Sequence, residues 1–103
     1  MYYFSFYSVA NTVVIKLNTA QYASEIRWEI TEACGSNNQE YSNDAEYFIT
    51  CNLPPGLYTL QCLDSYADGW DGATIEIQGM KYCEKFTNGG SMSVSVLIQL
   101  EGT

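Results

Sequence analysis

The chain has 103 residues, four cysteines, no histidine, 15% aromatic side chains and a net charge of −8, with twelve acidic residues against four basic ones. A chain of this length buries about two-thirds of its unfolded surface in one core, which leaves no room for a second domain. The acidic balance argues against nucleic acid or an anionic membrane as a partner, since either would be repelled, and no membrane insertion is expected; without histidine there is no Ser-His or Cys-His couple for nucleophilic catalysis.

Residues 1–9, MYYFSFYSV, form the first informative stretch. They lack a basic n-region and their apolar run is short for a secretory signal, so they read as a strand. As a strand they put Tyr2, Phe4 and Phe6 on one face and Tyr3 and Tyr7 on the other. With aromatics on both faces, such a strand left in water exposes a patch that monomers avoid. It is either the first strand of this chain's own sandwich or a strand that joins a neighbouring copy, by strand addition or by packing aromatics across an interface. Repeated head to tail, that contact gives a filament unless the rotation closes it into a ring. The expected organisation is an aromatic strand over 1–12, open to exchange with a neighbouring subunit, and one sandwich domain over 13–103.

The next segments alternate with period two. Over 13–17, Val13, Ile15 and Leu17 point inward, and 18–24 is a polar turn. Over 25–30, Ile26, Trp28 and Ile30 face the core while Glu25, Arg27 and Glu29 face solvent, the pattern of an antiparallel sheet wet on one side. Residues 34–39 are rich in turn formers, 47–51 make a short strand, and Pro54-Pro55-Gly56 punctuates before the strand that leads to Leu63. Further strands are expected over 74–78, 81–86 and 91–100, the last with Met92, Val94, Val96, Ile98 and Leu100 on one face. The fold class is therefore all-β: a disulfide-bonded antiparallel β-sandwich of about seven or eight strands, jelly-roll or Ig-like.

Between two of these strands lies the stretch DSYADGWDGA, 64–73. Carboxylates at i, i+4 and i+7 cannot share one strand face, and two glycines within four residues do not sit in a helix interior, so the stretch is a shaped loop. A loop that gathers three carboxylates and main-chain carbonyls suits a hard divalent cation, with calcium the natural choice; Asp-Gly steps are also ordinary chemistry for a solvated hairpin turn. It is not an EF-hand. Counted from Asp64, the third position is Tyr66 and the twelfth Ile75, and no helix brackets the loop.

The run CNLPPGLYTL, 51–60, followed by 64–73, resembles the "C-L-P-x-G-x-Y-T … D-S-x-G-D-G-W-x-G-A" signature of modules in large cell-surface and matrix proteins of algae, protists and some bacteria. Upstream, VVIKLNT and EIRWEI resemble the same modules' opening strands, with their "E-I-x-W-E-I" segment, so the similarity runs from about Val13 to the C-terminus. The resemblance implies a calcium site at Asp64, Asp68 and Asp71, with carbonyls such as those of Tyr66 and Trp70 as further ligands. The chain departs from the pattern at two places. Ala67 stands where the modules have Gly, which costs about 1 kcal/mol if the position needs a positive φ, and Asp71 replaces a common Asn, adding charge to the site.

Cys34, Cys51, Cys62 and Cys83 contain no C-x-x-C pair, which weakens zinc and redox readings and favours disulfides. Of the three connectivities, Cys34 with Cys51 and Cys62 with Cys83 closes two local loops worth about 3 kcal/mol each; the others, and a bridge between subunits, stay open. Any of them places the protein outside the cell. No Asn-x-Ser/Thr sequon is present. Carboxylates engaged with calcium are not free for glycosidase chemistry, so no enzyme is expected. Two functions stand. One is a secreted, calcium-binding structural subunit of a filament or surface matrix, partnered by copies of itself through the N-terminal strand. The other is a carbohydrate-binding module in which Trp70, Tyr66 and the acidic loop take a glycan.

Overall fold

The computed structural model describes residues 10–31, 34–36 and 39–101. The expected aromatic strand, with Tyr2, Tyr3, Phe4, Phe6 and Tyr7, lies outside the described residues. Among the described residues the chain forms β1 (Thr12–Asn18), β2 (Ile26–Thr31), β3 (Cys34–Gly35), β4 (Glu46–Asn52), β5 (Gly56–Asp64), β6 (Thr74–Ile77), β7 (Met80–Tyr82) and β8 (Ser91–Ile98). They make two four-stranded sheets, ordered β4-β1-β6-β7 and β3-β2-β5-β8, and every ladder is antiparallel.

The alternation in the sequence is what sorts these strands. Val13, Ile15, Leu17, Ile75 and Ile77 from one sheet meet Ile26, Trp28, Leu60, Val96 and Ile98 from the other, all essentially inaccessible to water. Each large side chain removed from water contributes about 1.5–3 kcal/mol, so the two apolar faces are driven together. The Trp28 indole N–H, which needs a partner once buried, donates to the Tyr41 hydroxyl at 3.0 Å.

Two disulfides cross between the sheets: Cys34 to Cys51 and Cys62 to Cys83. The first joins β3 to β4 along one flank of the sandwich; the second joins β5 to the turn after β7 toward the other flank. These are the pairs that close two local loops, 17 and 21 residues apart, and they are the pairs that form.

Several boundaries differ from those read in the sequence. The 34–39 stretch contains the two-residue β3, paired to β2 through a register shift between Glu29 and Thr31. The strand expected over 81–86 is only Met80–Tyr82, because Cys83 turns to φ 64° and its carbonyl accepts the N–H of Phe86. β6 and β7 are joined by Gln78-Gly79, both at positive φ (49° and 83°), the two-residue hairpin geometry that matches strand twist. β8 stops at Ile98, where the Gln99 N–H leaves for the Gln78 side chain.

Asn11 belongs to the sandwich rather than to an N-terminal extension. It is buried, its amide donates to the carbonyls of Leu53 and Gln99 at 2.9 Å each, and its side-chain oxygen accepts the Glu101 N–H. The chain therefore enters the fold bolted to the exit of β8.

Candidate metal centre

The acidic loop carries the chain from Asp64, the last residue of β5, across to Thr74, the first of β6, and so from one sheet to the other. Asp64 shapes it. The residue is 5% exposed, one carboxylate oxygen accepts the Asp68 N–H at 2.6 Å and the other the Tyr66 N–H at 3.4 Å, while its carbonyl accepts the Ala67 N–H. This is the local side-chain-to-backbone bonding that makes Asp a turn residue.

Four residues of the loop have left-handed backbone: Ala67 (φ 59°), Gly69 (85°), Asp71 (51°) and Gly72 (97°). Ala67 does take the positive φ that its Gly-like position in the motif implies, and Asp71 is of a type that tolerates it. Gly69 is required for a second reason: a Cβ there would lie 2.5 Å from the Phe86 carbonyl oxygen and within 2.7 Å of Thr87 backbone atoms. That close approach exists because the loop is sewn to residues 86–90 by Trp70 N–H to Phe86 O, Gly69 N–H to Gly89 O, Gly89 N–H to Ala67 O and Asp64 N–H to Gly90 O.

Trp70 is the anchor of this seam. Its side chain is 0% exposed, its indole N–H donates to the Leu63 carbonyl at 2.9 Å, and its ring lies 6.3 Å from that of Phe86. The expectation that Trp70 presents a stacking platform to a glycan is corrected here, because an exposed indole would forfeit this burial and leave its N–H to water. Its carbonyl, expected as a cation ligand, accepts the Ala73 N–H. Tyr66, by contrast, is 73% exposed.

The carboxylates that converge are those of Glu25, Asp68 and Asp71, whose nearest oxygens all lie within 4.8 Å of one another. Asp68 and Asp71 were expected. Asp64 stands beside the group with its oxygens already engaged by N–H donors. Glu25 is the residue that the alternation over 25–30 turned toward solvent. In the fold it ends a single 3₁₀ turn, Ala23–Glu25, just before β2, and its carbonyl accepts the Ser65 N–H at 3.0 Å, which pins it against the start of the acidic loop. Its Oε1 is buried without a hydrogen-bond partner among the described residues. Only a tertiary contact brings it here, and the one signal in the sequence is that Glu25 follows a polar turn, where strand periodicity is least binding.

The electrostatics follow from this crowding. Burial, then the neighbouring charges of Asp68, Asp64 and Asp71, push the Glu25 carboxyl above its ordinary value. Asp68 is also raised, chiefly by its hydrogen bond with Asp64 and then by burial and the charges of Asp64 and Asp71. Burial pushes Asp64 up, but the hydrogen bonds it accepts from Asp68, Tyr66 and Gly69 outweigh it and hold its carboxyl below the usual range. Such a group is short of positive charge. Its donors are all hard oxygens, with no imidazole and no free thiol, which fits calcium or magnesium rather than a softer metal. Three carboxylates fall short of the six to eight oxygens of a calcium shell, leaving places for carbonyls and water. A cleft of about 220 Å³ opens beside the group, lined by Ser24, Glu25, Asp64 and Gly90 among others. No protein-family model, no curated protein and no solved structure matches the chain.

Proposed function

We propose that the protein is a secreted, calcium-braced structural subunit of an extracellular filament or surface matrix, assembled through its N-terminal aromatic strand. The observation that carries the calcium part is the Oε1 of Glu25, buried without a hydrogen-bond partner among the described residues and set against Asp68 and Asp71. A buried anionic oxygen without a donor is costly, and a cation shared with two further carboxylates removes that cost. Bound there, the cation ties the entrance of β2 to the β5–β6 crossing and so clamps one sheet to the other.

The structural reading also draws on how the loop is built. Its large residue packs inward, its backbone is sewn to residues 86–90, and the Cys62–Cys83 disulfide encloses it. These features brace a fold; a glycan receptor needs an exposed aromatic platform, and with Trp70 buried only Tyr66 offers one in this loop. The two disulfides fit an oxidising compartment, and the resemblance to surface and matrix modules supports the same setting.

Electron microscopy of the polymerised protein, with and without a calcium chelator, tests assembly and ion together. Filaments that fray or dissolve on chelation are the expected result. Isolated particles in both conditions would overturn the structural reading and leave the carbohydrate-binding one.

A further inference from the structure

Among the described residues β8 is paired on one side only, to β5, in an unbroken register from Gly56↔Ile98 to Leu63↔Ser91. Among the described residues its other side is a sheet edge. Such edges template the addition of another chain, and proteins ordinarily blunt them with short length, charge, proline or a bulge. The other edges here are blunted in these ways: β3 has two residues and β7 three, while β4 carries Glu46, ion-paired to Lys16 at 3.3 Å, and is stapled at Cys51. β8, SMSVSVLI, has no charge, no proline, no residue at positive φ and no break in its ladder.

The packing beside this edge is unfinished. Val96 and Ile98 on its inner face are buried, but Met92 and Val94 are only half-buried, as is Tyr82 on the facing β7. Between β7 and the end of β8 lies a groove of about 560 Å³ walled by Met80, Tyr82 and Leu97 and, at its polar side, by Gln78, Gln99 and Glu101. On the outer face, the cross-strand pair Leu57 and Leu97 is 72% and 59% exposed. Among the described residues no further strand covers this flank of the sandwich.

We propose that the β8 edge receives residues 1–9 of a neighbouring copy as an added strand, which rests on the reading that the N-terminal strand assembles the filament and names its acceptor. The lengths agree, since nine extended residues span about 30 Å and the eight of β8 about 26 Å. The segment is uncharged, free of proline and aromatic at alternate positions, so one face covers Met92, Val94 and Tyr82 while the other meets Leu57 and Leu97. Pairing with the same chain is disfavoured by where that chain enters. Asn11 is fixed beside Gln99 at the end of β8, with Ala10 alone between it and Val9. A strand running back along β8 from there would be parallel to it, whereas the ladders between the named strands among the described residues are all antiparallel, and a neighbour's strand is free to add antiparallel. Donor segment and acceptor edge are different surfaces, so the contact is heterologous and propagates as a filament.

The test places p-benzoylphenylalanine at Phe4 in the full chain, polymerises an equal mixture of isotopically light and heavy protein, irradiates it and maps the cross-linked peptides by mass. Mixed light–heavy cross-links onto residues 91–98 or Tyr82 are expected. Cross-links confined to one isotopic composition would show that the strand folds onto its own chain and overturn the proposal. Polymer whose mixed cross-links fall on neither β8 nor Tyr82 would also overturn it while leaving N-terminal assembly standing; protein that forms no polymer sinks both. A second variant, Ser93→Lys with Ser95→Lys, alters only exposed side chains of the edge strand and should raise the concentration needed for polymer about tenfold or more. Unchanged polymerisation would count against β8 as the acceptor.

Discussion

Replacing Cys62 and Cys83 together by alanine should separate the bracing of the acidic loop from the stability of the fold. The bridge spans 21 residues and closes a loop whose chain-entropy contribution is about 3.3 kcal/mol at 25 °C. The Cys34–Cys51 bridge spans 17 and contributes about 3.1 kcal/mol on the same basis. A chain of 103 residues unfolds with an entropy of about 0.22 kcal/mol/K, so either double variant should lower Tm by about 15 °C. Stability alone thus does not tell the two apart. Their response to calcium does, because Cys62 lies two residues before Asp64 and Cys83 sits at the base of the 86–90 segment that holds residues 64–70. Thermal melts by circular dichroism, in calcium and in chelator, read both quantities. The Cys34/Cys51 variant should keep the calcium-induced rise in Tm of the parent; the Cys62/Cys83 variant should lose most of it. Equal calcium responses in the two variants, or a cost below about 1 kcal/mol for either, would refute the reasoning.

Two further outcomes are expected. In chelator, stability should rise as pH falls from 7 toward the ordinary carboxylate values of 4.5 for Glu25 and 3.8 for Asp68, because both are raised in the fold and take up protons there before the unfolded chain does; below that range the trend reverses as Asp64, held low in the fold, is protonated and its contribution is lost. Glu25→Gln should flatten the rising limb and remove the calcium response, and a pH series of melts on the parent and this variant checks both. Gly69→Ala forces a Cβ into the Phe86 and Thr87 backbone at a positive φ and should cost more than about 2 kcal/mol in denaturant unfolding; a loss under about 0.5 kcal/mol would mean that the loop is not sewn to residues 86–90 as described.

The strands were legible because their physical cause is local. A side chain every second residue faces the same side of the sheet, so Val13, Ile15 and Leu17, or Ile26, Trp28 and Ile30, declare both element and orientation. The acidic loop was legible for the same reason, since two close glycines and carboxylates at i, i+4 and i+7 are incompatible with either regular element, and Asp68 and Asp71 do converge. The ends of strands were not. Cys83 leaves the strand through a left-handed turn that places its sulfur against Cys62, a constraint set by a residue 21 positions away.

By itself, then, the sequence determined a two-sided, disulfide-bonded all-β fold, because alternation and composition act within a few residues of each other. The tertiary structure alone decided which way Trp70 faces, since an indole beside an exposed turn can point either way until Phe86 and the Leu63 carbonyl are there to receive it. It alone brought Glu25 to Asp68 and Asp71, through a main-chain hydrogen bond to Ser65 that no periodicity encodes. It also decided which strand ends a sheet: β8 reads in the sequence like any other half-buried strand, and only the order of strands among the described residues makes its far side an edge.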